Sequence, residues 1–401
     1  MNGNKRGFWR SPLRGPWFTS VLGLVLLIGL PVLFVTGLLS YAAYNPDLGR
    51  GNDHTPDRGI LGFFLFPWPT SPHWLYRVTQ GIHVIGGFVL IPVVLAKLWS
   101  VFPRLFQWPP VRSLTHALER GSLLLLVGAT LFELVTGVLN TQLDYLFPGS
   151  FYRVHYYGAW VFFAALVVHV ALRLGKLRRG LRDEGGEELR APDPAPSTIS
   201  RRGAVALVGA GSLTLFAVTA GQVTGGPLRR TALLAPHGGA DPGPEQNGFQ
   251  VNKTAAGRGI RAADTGEHWR LRLRGPGGDL ALSRAELLEL EQHTVRLPID
   301  CVEGWSTGDQ TWTGVRLKDL AALAGAEPDH MYVESLQRAG AFRQVWLRAN
   351  QVRDGRSLLA LGVNGAPLSK DHGFPARIVV PNNPGVHQTK WVERLTIGRP
   401  V

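Results

Sequence analysis

Four apolar runs between Trp17 and Leu174 constrain this chain more than any other feature of its sequence. The first, Trp17 to Ala43, carries no charged residue and exceeds the roughly 20 residues a helix needs to cross a bilayer. The second runs from about Pro72 to Phe102, with Ser71-Pro72 as N-cap and first helical position. The third runs from about Leu114 to Thr141, and the fourth from Pro148-Gly149 to near Leu174. A cleaved signal peptide is the competing reading of the first run. Its length and the lack of a small-residue cleavage site make it a membrane helix instead. Trp74, Tyr76, Trp99, Tyr145, Tyr152 and Trp160 fall near span ends, where an interfacial aromatic belt is expected.

Net charge is +13, and the positive residues cluster in the gaps between spans. That distribution sets aside nucleic acid and points to the bilayer as the partner. The N-terminus (Lys5, Arg6, Arg10, Arg14), the second loop (Arg104, Arg112) and the segment from Arg173 to Arg202 are rich in Lys and Arg, whereas loops 44–71 and 142–150 are poor in them. The Lys/Arg bias therefore places the N-terminus in the cytoplasm of a multi-pass cell-membrane protein. Residues 176–202 read as a cytoplasmic linker containing Ala191-Pro-Asp-Pro-Ala-Pro-Ser197. It ends in Arg201-Arg202, before a weaker apolar run over 203–222 that reads as a fifth span. The arginine pair is either a twin-arginine export signal, with Ala204 where a large apolar residue is usual, or simple obedience to the positive-inside rule. Five spans place whatever follows outside the cytoplasm.

A Gly/Pro-rich linker over 223–250 leads to a non-membrane region, 251–401. There short β-type runs alternate with turns and one amphipathic segment, Ser283 to His293, which predicts a mixed α/β (α+β) domain. The only cysteine of the chain, Cys301, lies in Leu297-Pro-Ile-Asp-Cys301-Val-Glu-Gly-Trp-Ser306. The apolar lead-in and Gly304 place its thiol at a strand end beside a tight turn. Taken alone it is either a small buried hydrophobe or a reactive or metal-bound thiolate.

The surrounding motifs resemble the sulfite-oxidase-type molybdopterin oxidoreductases. They are Cys301-Val-Glu-Gly-Trp-Ser306, Trp312-Thr-Gly-Val-Arg-Leu317, Asn364-Gly365-Ala-Pro-Leu368, His372-Gly373-Phe-Pro-Ala-Arg377-Ile-Val-Val-Pro381 and Lys390-Trp391-Val392. The resemblance covers about residues 254–401 and implies a molybdopterin cofactor with Cys301 as a molybdenum ligand. A soft thiolate suits a high-valent metal that already carries sulfur and oxo ligands. The resemblance further implies that His372, Gly373, Arg377 and Lys390 contact the cofactor. Asn382, Asn383 and His387 are candidates lining the site, and Tyr332 and Arg343 are candidates for a substrate pocket.

Ionisable residues inside spans are functional candidates, and the spans hold His83, His116, His155 and His169. A lone intramembrane histidine is either a helix–helix hydrogen-bond partner or a ligand. His155 and His169 form a His-x13-His pattern, about 21 Å apart on nearly one helix face, and so address two sites. This pattern resembles diheme b-type cytochromes of the b561 and formate-dehydrogenase kind, in which histidines of facing helices ligate each haem. By that resemblance His83 and His155 hold the outer haem b. The first helix has no histidine, so either His116 pairs with His169 at an inner haem or one haem is bound. Two haems are expected.

The expected whole is a four-helix membrane cytochrome (1–175), a fifth transmembrane helix and an extracytoplasmic molybdopterin domain, as in some actinobacterial proteins that this chain resembles. The expected function is an oxidoreductase that exchanges electrons with membrane quinone or quinol. Its small-molecule substrate is an S-oxide or N-oxide such as oxidised methionine, as for the periplasmic methionine-sulfoxide reductase with its separate haem subunit. The alternatives are oxidation of sulfite or a similar oxyanion, and a non-enzymatic electron-transfer module. An unseen partner subunit stays open.

Overall fold

The computed structural model describes residues 13, 15–44, 65–106, 113–141, 151–182, 199–224, 226–235, 245–338 and 342–398. Lys5, Arg6, Arg10, Arg14, Arg112, Tyr145 and the interiors of both linkers lie outside them. Helices α1 (Pro16–Tyr44), α2 (Leu75–Leu105), α3 (Leu114–Asn140) and α4 (Phe151–Arg182) form where the long apolar runs stand. The fifth run gives α5 (Arg201–Ala217), continued after a break by the short α6 (Gly221–Thr224). These five segments are long and apolar enough to cross a membrane, and at most 33% of any span's most apolar stretch is buried within the chain. What they expose is apolar, including Ile28, Val35, Leu118 and Val135, as a lipid-facing surface requires.

The start of α2 differs from expectation in two details. Ser71-Pro72 does not open α2; the Leu75 N–H donates to the Pro72 carbonyl (3.1 Å) in a turn ahead of the helix. Tyr76 is fully buried rather than interfacial. Ser113 and Ser200 cap α3 and α5 by accepting from the N–H groups of His116 (3.1 Å) and Gly203 (3.0 Å).

The chain forms two compact units, Met1–Thr36 with Ile82–Thr219 and Gly37–Gly81 with Ala220–Val401. Residues 37–81, which include the last turns of α1 and the first of α2, thus group with the C-terminal residues. In the first unit, a Cβ on Gly29 would meet Leu90 at 2.8 Å and one on Gly86 would meet Leu33 at 2.9 Å. Small residues thereby bring α1 and α2 close, the usual basis of helix association in lipid. Phe18, Leu30, Leu90, Phe162, Leu166 and Ala204 pack α1, α2, α4 and α5 together. An ion pair, Glu119 to Arg173 at 2.9 Å, joins α3 to α4.

The second unit holds two five-stranded sheets. One orders β2 (Gly278–Leu282), β1 (Leu271–Gly275), β10 (Val392–Ile397), β5 (Met331–Ser335) and β6 (Gln344–Leu347), with only the β1–β10 pair parallel. The other orders β3 (His293–Leu297), β4 (Gln310–Arg316), β7 (Leu358–Val363) and β8 (Ala366–Pro367), with β9 (Arg377–Val379) also on β7. Helices α7 (Arg284–Glu289), α8 (Leu317–Leu323) and α9 (Ala349–Arg353) complete this mixed α/β fold. The amphipathic segment is shorter than expected, because α7 ends at Glu289 and His293 already opens β3. Strand β7 reads Leu-Leu-Ala-Leu-Gly-Val because both its faces are covered. Leu359 and Leu361 enter a large core with Leu271, Leu320, Val333 and Leu395, whereas Leu358 and Ala360 pack with Phe249, Trp312 and Val379.

Candidate functional site

Cys301 occupies the first position of a turn that the backbone alone closes. The Gly304 N–H donates to the Cys301 carbonyl (3.1 Å), and the Cys301 N–H donates to the Trp305 carbonyl (2.8 Å). Gly304 takes a φ of 85°, the left-handed region in which a side chain is strained. The thiol is 2% exposed and faces Glu303 Oε2 at 3.5 Å, an oxygen that also accepts from Trp305 Nε1 (2.8 Å). Burial, with the Glu303 carboxylate adding to it, pushes this thiol up from its ordinary range.

Both flanks of the turn are clamped by those ends of the apolar helices that belong to this unit. Arg77 of α2 pairs with Asp300 through Nε (3.0 Å) and reaches the Thr307 carbonyl through Nη2 (3.4 Å). Gln80 Nε2 donates to the Val302 carbonyl, and the Gln222 carbonyl of α6 accepts from the Ser306 N–H (2.8 Å). The Asp300 side chain is 4% exposed, so removing its partner strands a buried carboxylate. Arg77→Leu is expected to cost about 3 kcal/mol. A lower melting temperature of the purified full-length protein, partly recovered in Arg77→Lys, checks this; an unchanged one refutes it.

Cys301 lines a cleft together with Lys253, His372, Arg377 and Lys390. Arg377, at the start of β9, is 1% exposed and donates to the carbonyls of His372 (3.1 Å) and Gln388 (3.3 Å). Its guanidinium lies 5.0 Å from the centre of the Trp312 ring, and burial pushes it down to about 9. Lys390 Nζ donates to the carbonyls of Asp371 (2.7 Å) and Lys253 (2.9 Å). Burial, then Arg377 and Lys253, holds it well below the ordinary lysine range. Lys253 itself is pushed down to about 8, by burial first and the charge of Arg258 next. Three cations thus crowd one cleft at mutual expense, an arrangement that an anion relieves.

His372 donates from Nε2 to the Asn247 carbonyl (2.9 Å) and stacks on Phe249 at 3.7 Å between centroids. Burial, followed by the charges of Arg377 and Lys390, pushes it down to about 3, so it is neutral at pH 7. Gly373 has a φ of 112°, and a Cβ there would lie 3.1 Å from Cβ of both Arg377 and Lys390. The glycine therefore lets the two cation-bearing segments close on each other.

Asn382 lies elsewhere than expected. Its Nδ2 donates to the Pro69 carbonyl (2.6 Å), and its Oδ1 accepts from the Tyr76 N–H (2.7 Å). Its own carbonyl accepts from Trp68 Nε1 (2.8 Å). It anchors the 68–76 segment and does not line the cleft. Asn383 accepts from Gln351 Nε2 (3.0 Å), and His387 stacks on Tyr44 at 5.8 Å. Tyr332 and Arg343 do not line this cleft either. Lys253, Gln337, Gln388 and Thr389 do, and no local motif in the sequence marks them.

In the first unit, His83 of α2 and His155 of α4 face each other with ring centroids 6.1 Å apart. His83 Nδ1 lies 2.9 Å from the Leu33 carbonyl, which can only accept. His155 Nδ1 lies 3.1 Å from Glu133 Oε2 and 3.0 Å from Thr136 Oγ1. His83 Nδ1 therefore carries the hydrogen and its Nε2 the lone pair, the tautomer of a metal-ligating histidine, and an ionised Glu133 would set His155 the same way. Two metal–nitrogen bonds of about 2 Å to one iron would hold imidazole centroids at roughly this separation. Among the described residues, no ring contact joins His116 to His169. The Glu119–Arg173 and Glu133–His155 contacts set the antiparallel register of α3 and α4 so that His169 falls opposite the residues around Ser122. His116, at the start of α3, lies well over a turn beyond that point.

Residues 259–400 match the family model described as oxidoreductase molybdopterin binding domain. The mitochondrial sulfite oxidase of Rattus norvegicus is 32% identical over 149 residues, covering 30% of this chain and 27% of that protein. The uncharacterized oxidoreductase YuiH of Bacillus subtilis is 33% identical over 119 residues, covering 29% of this chain and 58% of that protein. The chain thus spans about a quarter to three-fifths of the length of these relatives. Among solved structures, the sulfane dehydrogenase SoxCD from Paracoccus pantotrophus aligns at 27% identity over 32% of this chain and 38% of that one, with a TM-score of 0.30.

The cleft suits the cofactor that the family model names. Arg377 Nε, Gln337 Oε1, Gln388 Oε1 and Thr389 Oγ1 are buried there without a protein hydrogen-bond partner. A pterin, rich in donors and acceptors and ending in an anionic phosphate, would satisfy them and the three cations.

Proposed function

We infer that this chain, whose C-terminal part is a molybdopterin-binding oxidoreductase domain of the sulfite oxidase family, is a membrane-bound enzyme that couples molybdenum chemistry to a b-type haem. The observation that carries the reading is that Cys301 lines one cleft with Arg377, Lys390 and Lys253. In this reading residues 1–175 are the cytochrome, 176–202 a cytoplasmic linker, 203–222 the fifth span, 223–250 a second linker and 251–401 the catalytic domain. The Lys/Arg distribution supports a cytoplasmic N-terminus and an extracytoplasmic C-terminus.

When bound, the molybdenum cofactor supplies two-electron oxygen-atom transfer. The residues of the chain prepare the site for it. Cys301 offers a thiolate ligand, Arg377 and Lys390 hold anionic groups, and neutral His372 and Gly373 shape the cradle. Lys253, beside the thiol, is placed to attract an anionic or polarised oxygen of the substrate. His83 and His155 hold a haem b, and His169, with or without His116, is the candidate for a second.

The direction we favour is from quinol to substrate. Quinol gives up two electrons and two protons, and an S-oxide or N-oxide takes them up to yield the deoxygenated product and water. The presence of haem ligands within a membrane span supports this link to the quinone pool. The relatives named sulfite oxidase, together with the cationic cleft, favour a second reading. In it sulfite and water give sulfate, two protons and two electrons, and the haem is reduced.

The test uses full-length protein in mild detergent, from a host able to make the cofactor. Molybdenum and haem are measured per chain, and the haem spectrum is followed after each substrate is added. Bleaching of prereduced haem by methionine sulfoxide supports the first direction, and reduction of oxidised haem by sulfite supports the second. Absence of molybdenum would sink the enzymatic reading and leave an electron-transfer module.

A further inference from the structure

Glu133 lies inside span α3, at a position where a carboxyl group is costly and calls for a specific partner. Its Oε2 stands 3.1 Å from His155 Nδ1. The neighbouring Thr136 hydroxyl donates to the carbonyls of Phe132 (2.7 Å) and Glu133 (3.3 Å), so its oxygen meets the same Nδ1 only as an acceptor. The imidazole is therefore held at Nδ1 by one carboxyl group and one hydroxyl, and its ring centroid lies 6.1 Å from that of His83. Among the described residues, His83 Nδ1 meets the Leu33 carbonyl and the Thr36 hydroxyl, at 2.9 and 3.3 Å. The two histidines are thus unequal: one has a carboxyl partner and the other does not.

The surroundings of Glu133 are built around it. Gly158 of α4 lies against its side chain, and a Cβ at that position would run into Glu133 Oε1 and the Phe132 ring. That same Oε1 is buried without a partner, so nothing on its far side competes for the carboxyl group. A carboxylate accepting from the outer nitrogen of a metal-bound histidine fixes the ring and makes the inner nitrogen a stronger donor. Stronger donation stabilises the ferric over the ferrous state and lowers the reduction potential.

We propose that Glu133 is the positioning residue that orients His155 and sets the reduction potential of the haem between His83 and His155. The proposal rests on the haem reading above, and the experiment separates the two. Wild-type, Glu133→Gln and Gly158→Ala full-length proteins are purified in detergent. Haem per chain is measured, and each haem transition is titrated optically against potential; the transition concerned is the one missing in His155→Ala.

Glu133→Gln is expected to keep its haem while the preference for ferric iron falls at least tenfold, a positive shift of about 59 mV or more. Gly158→Ala moves the carboxyl group without deleting it and should shift the potential in the same direction. A purely structural role would lower the melting temperature and leave the potential of the retained haem where it was. That outcome in either variant overturns the proposal. If Glu133→Gln cannot be isolated with haem, Gly158→Ala decides alone. A wild-type protein without haem removes the underlying reading as well.

Discussion

Cys301→Ser is expected to lower turnover more than about 100-fold while the protein keeps its fold. The lower bound exceeds the 10–100-fold loss typical when a partner of a metal ligand, rather than the ligand itself, is replaced. Serine occupies nearly the same volume, but its hydroxyl does not become a soft anion near pH 7. The turn survives, because its closing bonds run between the backbone groups of Cys301, Gly304 and Trp305. Of the contacts described, the one that uses Sγ is to Glu303 at 3.5 Å. The stability change should therefore stay within about 1 kcal/mol. Rates with methionine sulfoxide and with sulfite, using artificial dyes in place of quinone, are compared with molybdenum and pterin content. Full activity in this variant would mean that the thiol is only a buried core group.

His155→Ala is expected to remove one haem per chain and leave molybdenum content unchanged. A b-type haem is held without covalent attachment, so losing an axial nitrogen removes much of its binding energy. The loss should be compounded because Glu133 and Thr136 are left facing a cavity in the span. His83→Ala should do the same, because the two rings face each other at 6.1 Å. His116→Ala should not touch this haem, since its ring is at the opposite end of α3 from Glu133 and Thr136. The pyridine haemochrome spectrum of each variant reads the result. Retention of all haem in both His83→Ala and His155→Ala would remove this pair as ligands.

Much of the candidate chemistry was legible because it is local. A run of apolar residues longer than a bilayer is thick must become a helix, since hydrocarbon offers its backbone no other partner. The same local character holds for Cys301 in its turn and for His372 and Arg377, five residues apart, all of which line the cleft. Lys253 and Gln337 reach that cleft through pairings remote in sequence, and no periodicity announces them. Asn382 shows the converse. Its place in a motif-bearing loop suggests a cofactor contact, yet its side chain bonds to Pro69 and Tyr76, more than three hundred residues earlier.

Sequence alone was enough for five segments long and apolar enough to span a membrane, a mixed α/β C-terminal domain and the identity of its one thiol, because these depend on hydropathy, strand periodicity and composition. Tertiary structure decided which polar groups share a site. The register of α3 against α4 sets Glu133 beside His155 and Glu119 beside Arg173. The close of residues 65–81 on the C-terminal domain buries Tyr76 and gives Asp300 its Arg77. The physical reason is common to both cases: a buried polar group must find a partner wherever the fold supplies one, and the distance along the chain says nothing about where that will be.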